Sequence, residues 1–138
     1  MKEKPKPGQT GVVRFTVEPQ HTIDFADARM PAVLSTPWLV NFLEKAGREA
    51  LKPILEDGEN SVGMEIEVKH LAPTPPGQTV TCLARVIRVD ERVVDFQVEA
   101  SDESELIARG FHKRAVIEMH RFARRVEKKR TGQPSNHS

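Results

Sequence analysis

The chain has 138 residues, 38% hydrophobic and 30% charged, which suits one globular domain around one core and excludes a fibrous or wholly disordered chain. No stretch approaches the ~20 consecutive apolar residues of a membrane span, and MKEKPKPGQTG lacks the apolar segment of a secretory signal. A single cysteine, Cys82, excludes an internal disulfide and a multi-cysteine metal site, with the cytoplasm as the default compartment.

The net charge of +1 hides an asymmetry. RFARRVEKKR (121–130) carries six basic residues and one acid, and residues 1–7 carry three lysines and one glutamate. Without these two segments the body holds 12 basic and 18 acidic residues, a net −6. The basic end is either a solvated, solubilising tail or an arm that meets phosphates. An acidic body without basic and aromatic interleaving argues against nucleic acid as the partner.

In chain order, residues 1–10 are rich in Lys, Pro and Gly and read as a flexible leader. VVRFTV (12–17) is a first strand, and residues 18–34 are irregular, broken by Pro19 and Pro31. STPWLVNFLEKAGREAL then predicts a helix. Ser35 or Thr36 can cap it, and Pro37 suits a first turn whose N–H groups have no helical partner. Leu39, Val40, Phe42, Leu43, Ala46, Ala50 and Leu51 recur at helical spacing, almost all round the first turns, so the helix is buried. Pro53 and EDGEN end it.

Strands follow. SVGMEIEVKH (61–70) alternates, which predicts Val62, Met64, Ile66, Val68 and His70 on one face. PTPPG (73–77) turns the chain, QTVTCLARVIRV (78–89) is a strand, and DER (90–92) is a tight connection. VVDFQVEA (93–100) and LIARGFHKRAVIEM (106–119) complete the set, with the domain spanning 11–123. The tail 124–138 reads as basic and disordered. The expected architecture is α+β: a five-stranded antiparallel sheet wrapped around one long central helix. Open sheet edges make a homodimer the simplest assembly.

Three side chains suggest chemistry. His70 ends a strand on the face expected to meet the helix; its plainer role is a ring satisfied by main chain. Glu44 lies two turns into an apolar helix, so it either points outward or is partly buried with a partner, and His70 stands on the element expected to face it. Thr36 brings a hydroxyl to the positive end of the helix, where capping is its plainer role. Hydroxyl, carboxylate and imidazole at one helix are the parts needed to hydrolyse an acyl group.

Three runs, STPWLVNFLEKA, SVGMEIEVKHLAPTPPGQTVT and GFHKRAVI, resemble the hot-dog-fold acyl-CoA thioesterases, closest to those similar to fluoroacetyl-CoA thioesterase. The resemblance covers residues 12 to 126. It implies a hot-dog fold with active sites at a dimer interface. It also implies Thr36, Glu44 and His70 as the catalytic set, Gly63 and Arg114 as substrate-holding residues, and hydrolysis of a small acyl-CoA without a cofactor. Arg114, with the basic tail, is the expected contact for CoA phosphates. The stretch ADARMPAVLS places Met30 where the specialised enzymes carry an aromatic lid, which implies a broader or different small acyl group. Glu44 is left as nucleophile or general base. An enoyl-CoA hydratase and a non-catalytic acyl-CoA-binding module are the rival readings; the first lacks its Asp/His pair, and the second has no need of the trio.

Overall fold

The computed structural model describes residues 1–132. Five strands and two helices run in the order β1 (Thr10–Thr16), α1 (Thr36–Leu51), β2 (Glu59–His70), β3 (Thr79–Asp90), β4 (Val93–Ser101), β5 (Leu106–Glu118) and α2 (Met119–Arg130). The strands form one antiparallel sheet in the order β1-β3-β4-β5-β2. Its concave face wraps α1, as the alternation in the sequence requires. Leu39, Leu43, Ala46, Ala50 and Leu51 of the helix meet Val80, Cys82, Ala84, Val86, Val94, Phe96, Val98 and Ala100 of the sheet, all essentially inaccessible to solvent. At 16 residues, about 24 Å of rise, α1 is shorter than the long helix expected but is the element that fills the sheet. No helix among the described residues is long and apolar enough to cross a membrane.

Three expectations are corrected. First, the leader is docked: Lys2 N–H donates to the Ile54 carbonyl at 2.7 Å, Gly8 N–H donates to the Val86 carbonyl at 2.8 Å, and Pro5 is buried. Second, disorder does not begin at Arg124. The Glu118 carboxylate accepts from the N–H groups of His120 (3.0 Å) and Arg121 (2.8 Å), and this cap starts a helix that continues to Arg130. Residues 133–138 of the expected tail lie outside the described residues.

Third, β2 does not keep one parity. Gly63 pairs with Arg114 and Glu65 with Lys113, so Met64 is an extra residue in the ladder. Before this bulge Ser61 and Gly63 share the concave side with Val116 and Arg114. After it Ile66, Val68 and His70 do, opposite His112, Gly110 and Ala108. Met64 is left 58% exposed. The bulge therefore turns Gly63, and not Met64, toward the helix.

β2 is a 12-residue edge strand bonded, among the described residues, to β5 alone. Its other side offers unpaired main-chain groups.

Candidate active site

The chemistry-bearing residues fall into two groups at the two ends of β2. At the first, Ser35 is the helix cap: its backbone is extended and its Oγ accepts from the Trp38 N–H at 3.4 Å. That releases the next hydroxyl. Thr36 Oγ1 lies 2.8 Å from Nδ1 of His70, which arrives at the end of β2 beside the helix start. The second nitrogen, Nε2, is buried and makes no hydrogen bond among the described residues. Burial holds the imidazole pKa below its usual 6.5, partly offset by the nearby main chain of Ala72. A groove of about 280 Å³ opens on this pair. Its walls are apolar: Ile23, Phe25, Met30, Val33, Leu71 and Pro73.

The second group is built around Arg114, whose side chain is buried at 5% exposure. Its Nε donates to Ser61 Oγ (2.9 Å), Nη2 to the Ser61 carbonyl (2.8 Å), and Nη1 to the Glu44 carbonyl (3.4 Å) and to Nε2 of His112 (3.2 Å). A guanidinium has only donors, so Nε2 of His112 accepts. His112 is therefore neutral, with its proton on Nδ1 and donated to the Glu65 carbonyl at 2.9 Å. Its ring stacks on Phe96 with centroids 6.1 Å apart. Burial pushes its pKa below 6.5, and the Arg114 charge adds to that.

Glu44, half-buried on α1, faces this group. A Cβ on Gly63 would stand 3.1 Å from Glu44 Oε2 and 3.5 Å from His112 Cε1. A Cβ on Gly47, one turn further along α1, would stand 2.9 Å from His112 Cδ2. Two glycines thus let the carboxylate, the imidazole and the guanidinium close up between helix and sheet.

Within the chain, then, Glu44 does not meet His70, the contact expected from the sequence, but faces a different imidazole, that of His112. The helix carries Glu44 about 12 Å beyond Thr36, and β2 separates Gly63 from His70 by roughly 20 Å. Arg114, expected to meet CoA phosphates, is 5% exposed and gives its donors to Ser61, the Glu44 carbonyl and His112. His112 is not among the catalytic or substrate-holding residues expected from the sequence. Its signal was present in strand parity, which sets it on the same face as Arg114 and Val116.

A curled antiparallel sheet around one helix, with hydroxyl and imidazole at the helix start and a carboxylate along it, defines the class: this is a hot-dog thioesterase. The profile of the fluoroacetyl-CoA-specific thioesterase family, FlK, matches residues 17–120, and the chain belongs to that family. The fluoroacetyl-CoA thioesterase of Streptantibioticus cattleyicolor is 36% identical over 137 residues, covering 94% of this chain and 97% of that one. A crystal structure of a mutant of FlK superposes with a TM-score of 0.84 at 37% identity, covering 93% of this chain and 99% of that one. A thioesterase superfamily member from Thermus thermophilus superposes with a TM-score of 0.82 at 30% identity, covering 94% and 98%.

Proposed function

We propose that the protein hydrolyses a small acyl-CoA to the free acid and CoA, as a homodimer whose active sites each draw on both subunits. The observation that carries this reading is the 2.8 Å contact between Thr36 Oγ1 and His70 Nδ1 at the mouth of a small apolar groove. It sets a hydroxyl and a neutral imidazole beside the positive end of a helix, where a thioester oxygen gains negative charge during attack. The walls around Met30 suit a short acyl chain. With Met30 in the wall, and with Phe25, 63% exposed, its aromatic ring, the reading is a broader small-acyl specificity rather than one confined to fluoroacetyl.

The carboxylate comes from across the interface. The free edge of β2 can pair antiparallel with its two-fold copy. If the axis passes midway between Gly63 and His70, His70 of the partner subunit stands beside Gly63, and so beside Glu44. Each composite site then holds Glu44 and Gly63 of one subunit with Thr36 and His70 of the other. Arg114 and His112 are positioning residues. They fix the main chain of Glu44 and Ser61 behind the carboxylate, and Gly63 leaves space for the thioester.

In this arrangement Glu44 either attacks the thioester carbonyl, expelling CoA thiolate and forming a mixed anhydride that water then cleaves to the free acid and the regenerated carboxylate, or takes a proton from the water that attacks the carbonyl. The base that takes the water's proton, Glu44 or the neutral His70, passes it to the CoA thiolate, and Thr36 orients that imidazole. The reading places the enzyme in the cytoplasm, where CoA thioesters are made and consumed.

The test is thiol release over a panel of short acyl-CoAs with the wild-type protein, E44A and H70A. Turnover of at least one short acyl-CoA, cut ~10²-fold or more in each variant, is the expected result. Equal turnover in all three would remove these residues from the reaction. CoA-ester binding with no turnover by the wild type would leave a binding protein.

A further inference from the structure

We infer that the basic face of α2 holds the phosphate-bearing nucleotide end of CoA, the role that the buried Arg114 cannot fill. The inference rests on the CoA-ester reading above and adds to it the site for the other half of the substrate.

Arg121, Arg124, Arg125 and Lys128 follow one another at helical spacings of three, one and three, so they share one face of α2. All four line a cleft of about 680 Å³ between that helix and the end of the sheet. Like charges three and four residues apart destabilise an isolated helix, and this face carries them with no ion pair to any described residue. The two acids in the cleft are already engaged. Glu59 pairs with Arg92 at 2.5 Å, and the Glu118 carboxylate caps α2. The cleft is left with a surplus of positive charge that a polyanion would neutralise.

The cleft is also connected to the proposed site. A second groove, of about 440 Å³, runs from Arg48, Ser61, Gly63 and Arg114 to Met119 and Phe122. Ile117 and Phe122 border both spaces. Arg114 and Glu118 stand four residue steps apart along β5, about 13 Å. That is the order of distance a pantetheine arm must bridge between the thioester and the diphosphate. Arginine presents paired donors that fit phosphate oxygens, and Phe122, 39% exposed at the junction, offers a face on which adenine can stack. A nucleic-acid partner fits less well, because the rest of the molecule is acidic and would repel the flanking phosphates.

The experiment compares full-length wild type with R124E/R125E, whose exposed positions leave the core untouched. CoA and adenosine 3′,5′-bisphosphate are titrated calorimetrically at low and high salt, and hydrolysis is followed with acetyl-CoA and with acetyl-pantetheine, which lacks the nucleotide. The expected result is CoA affinity weakened about tenfold or more at low salt, with a smaller difference at high salt. KM for acetyl-CoA rises in step, kcat stays within about twofold, and kcat/KM for acetyl-pantetheine does not follow; R124K/R125K recovers most of the affinity. Equal CoA affinity in wild type and R124E/R125E overturns the inference, as does an equal loss on both thioesters. If the wild type cleaves none of the short acyl-CoAs of the panel, the hydrolase reading fails while the CoA titration still decides this site. Binding to anionic vesicles or duplex DNA that is lost in R124E/R125E while CoA affinity is unchanged also overturns it.

Discussion

Gly63 gives the sharpest separation of site chemistry from stability. It lies in an edge strand, outside the left-handed region of φ, so alanine fits the backbone. Removing a glycine from a strand should by itself stabilise the fold by roughly 0.5–1 kcal/mol, a Tm change of about +1 to +4 °C at this chain length. The added methyl, however, would sit 3.1 Å from Glu44 Oε2 and 3.5 Å from His112 Cε1. The first distance is shorter than ordinary contact between a carbon and an oxygen. His112 is held between Glu65 and Arg114 and stacks on Phe96, so the carboxylate is the group that yields. A shift of several tenths of an ångström at a reacting group costs on the order of 10- to 100-fold in rate. G63A should therefore melt at or slightly above the wild-type temperature while kcat for a short acyl-CoA falls by that factor, read by thermal melting and a thiol-release assay. Unchanged kcat would refute a catalytic Glu44 whose place depends on Gly63. A large drop in Tm would refute the packing argument.

Two further outcomes follow from burial. His70 and His112 both have pKa values held below 6.5. As pH falls below 6.5, the unfolded chain takes up protons that the folded protein resists, so stability declines from there down to the folded values; denaturant midpoints measured from pH 8 to pH 5 should show this fall, less of it in H112F. Cys82 is inaccessible to solvent, and burial pushes its thiol up to about 12. A thiol reagent at pH 8 should leave it unmodified in the native protein and modify it fully in denaturant.

The parts of the fold that were legible in the sequence are those fixed by local patterns. The α1 stripe from Leu39 to Leu51 and the turn signals at residues 73–77 and 90–92 give the element order. The alternation of Val94, Phe96, Val98 and Ala100 gives the buried face of β4. The bulge at Met64 was not legible, because one extra residue reverses strand parity without a chemical mark at the residue itself. Nor was α2. Its basic residues give it the composition of a tail, and the Glu118 cap with the spacing of Met119, Phe122 and Val126 reads as helix only once the preceding strand is known to end at Glu118.

The site was legible in its parts and not in its assembly. Thr36 and His70 come together as a helix start and a strand end should. Period-two and period-3.6 patterns show which faces meet, but not how far along the helix axis a strand lies, and that offset separates Glu44 from His70 within the chain. It also leaves Glu44 beside His112, whose place depends on the pairing of β5 with β2.

The composite site is tested most directly by mixing two inactive variants. E44A and H70A are each purified, then denatured and refolded together in equal amounts. Random pairing gives half heterodimers, and each of these contains one site with an intact Glu44 from one subunit and an intact Thr36 and His70 from the other. The account predicts recovery of about a quarter of wild-type activity in the mixture and none when either variant is refolded alone. A mixture as inactive as its components would contradict it, because sites complete within a single subunit cannot be restored by exchange.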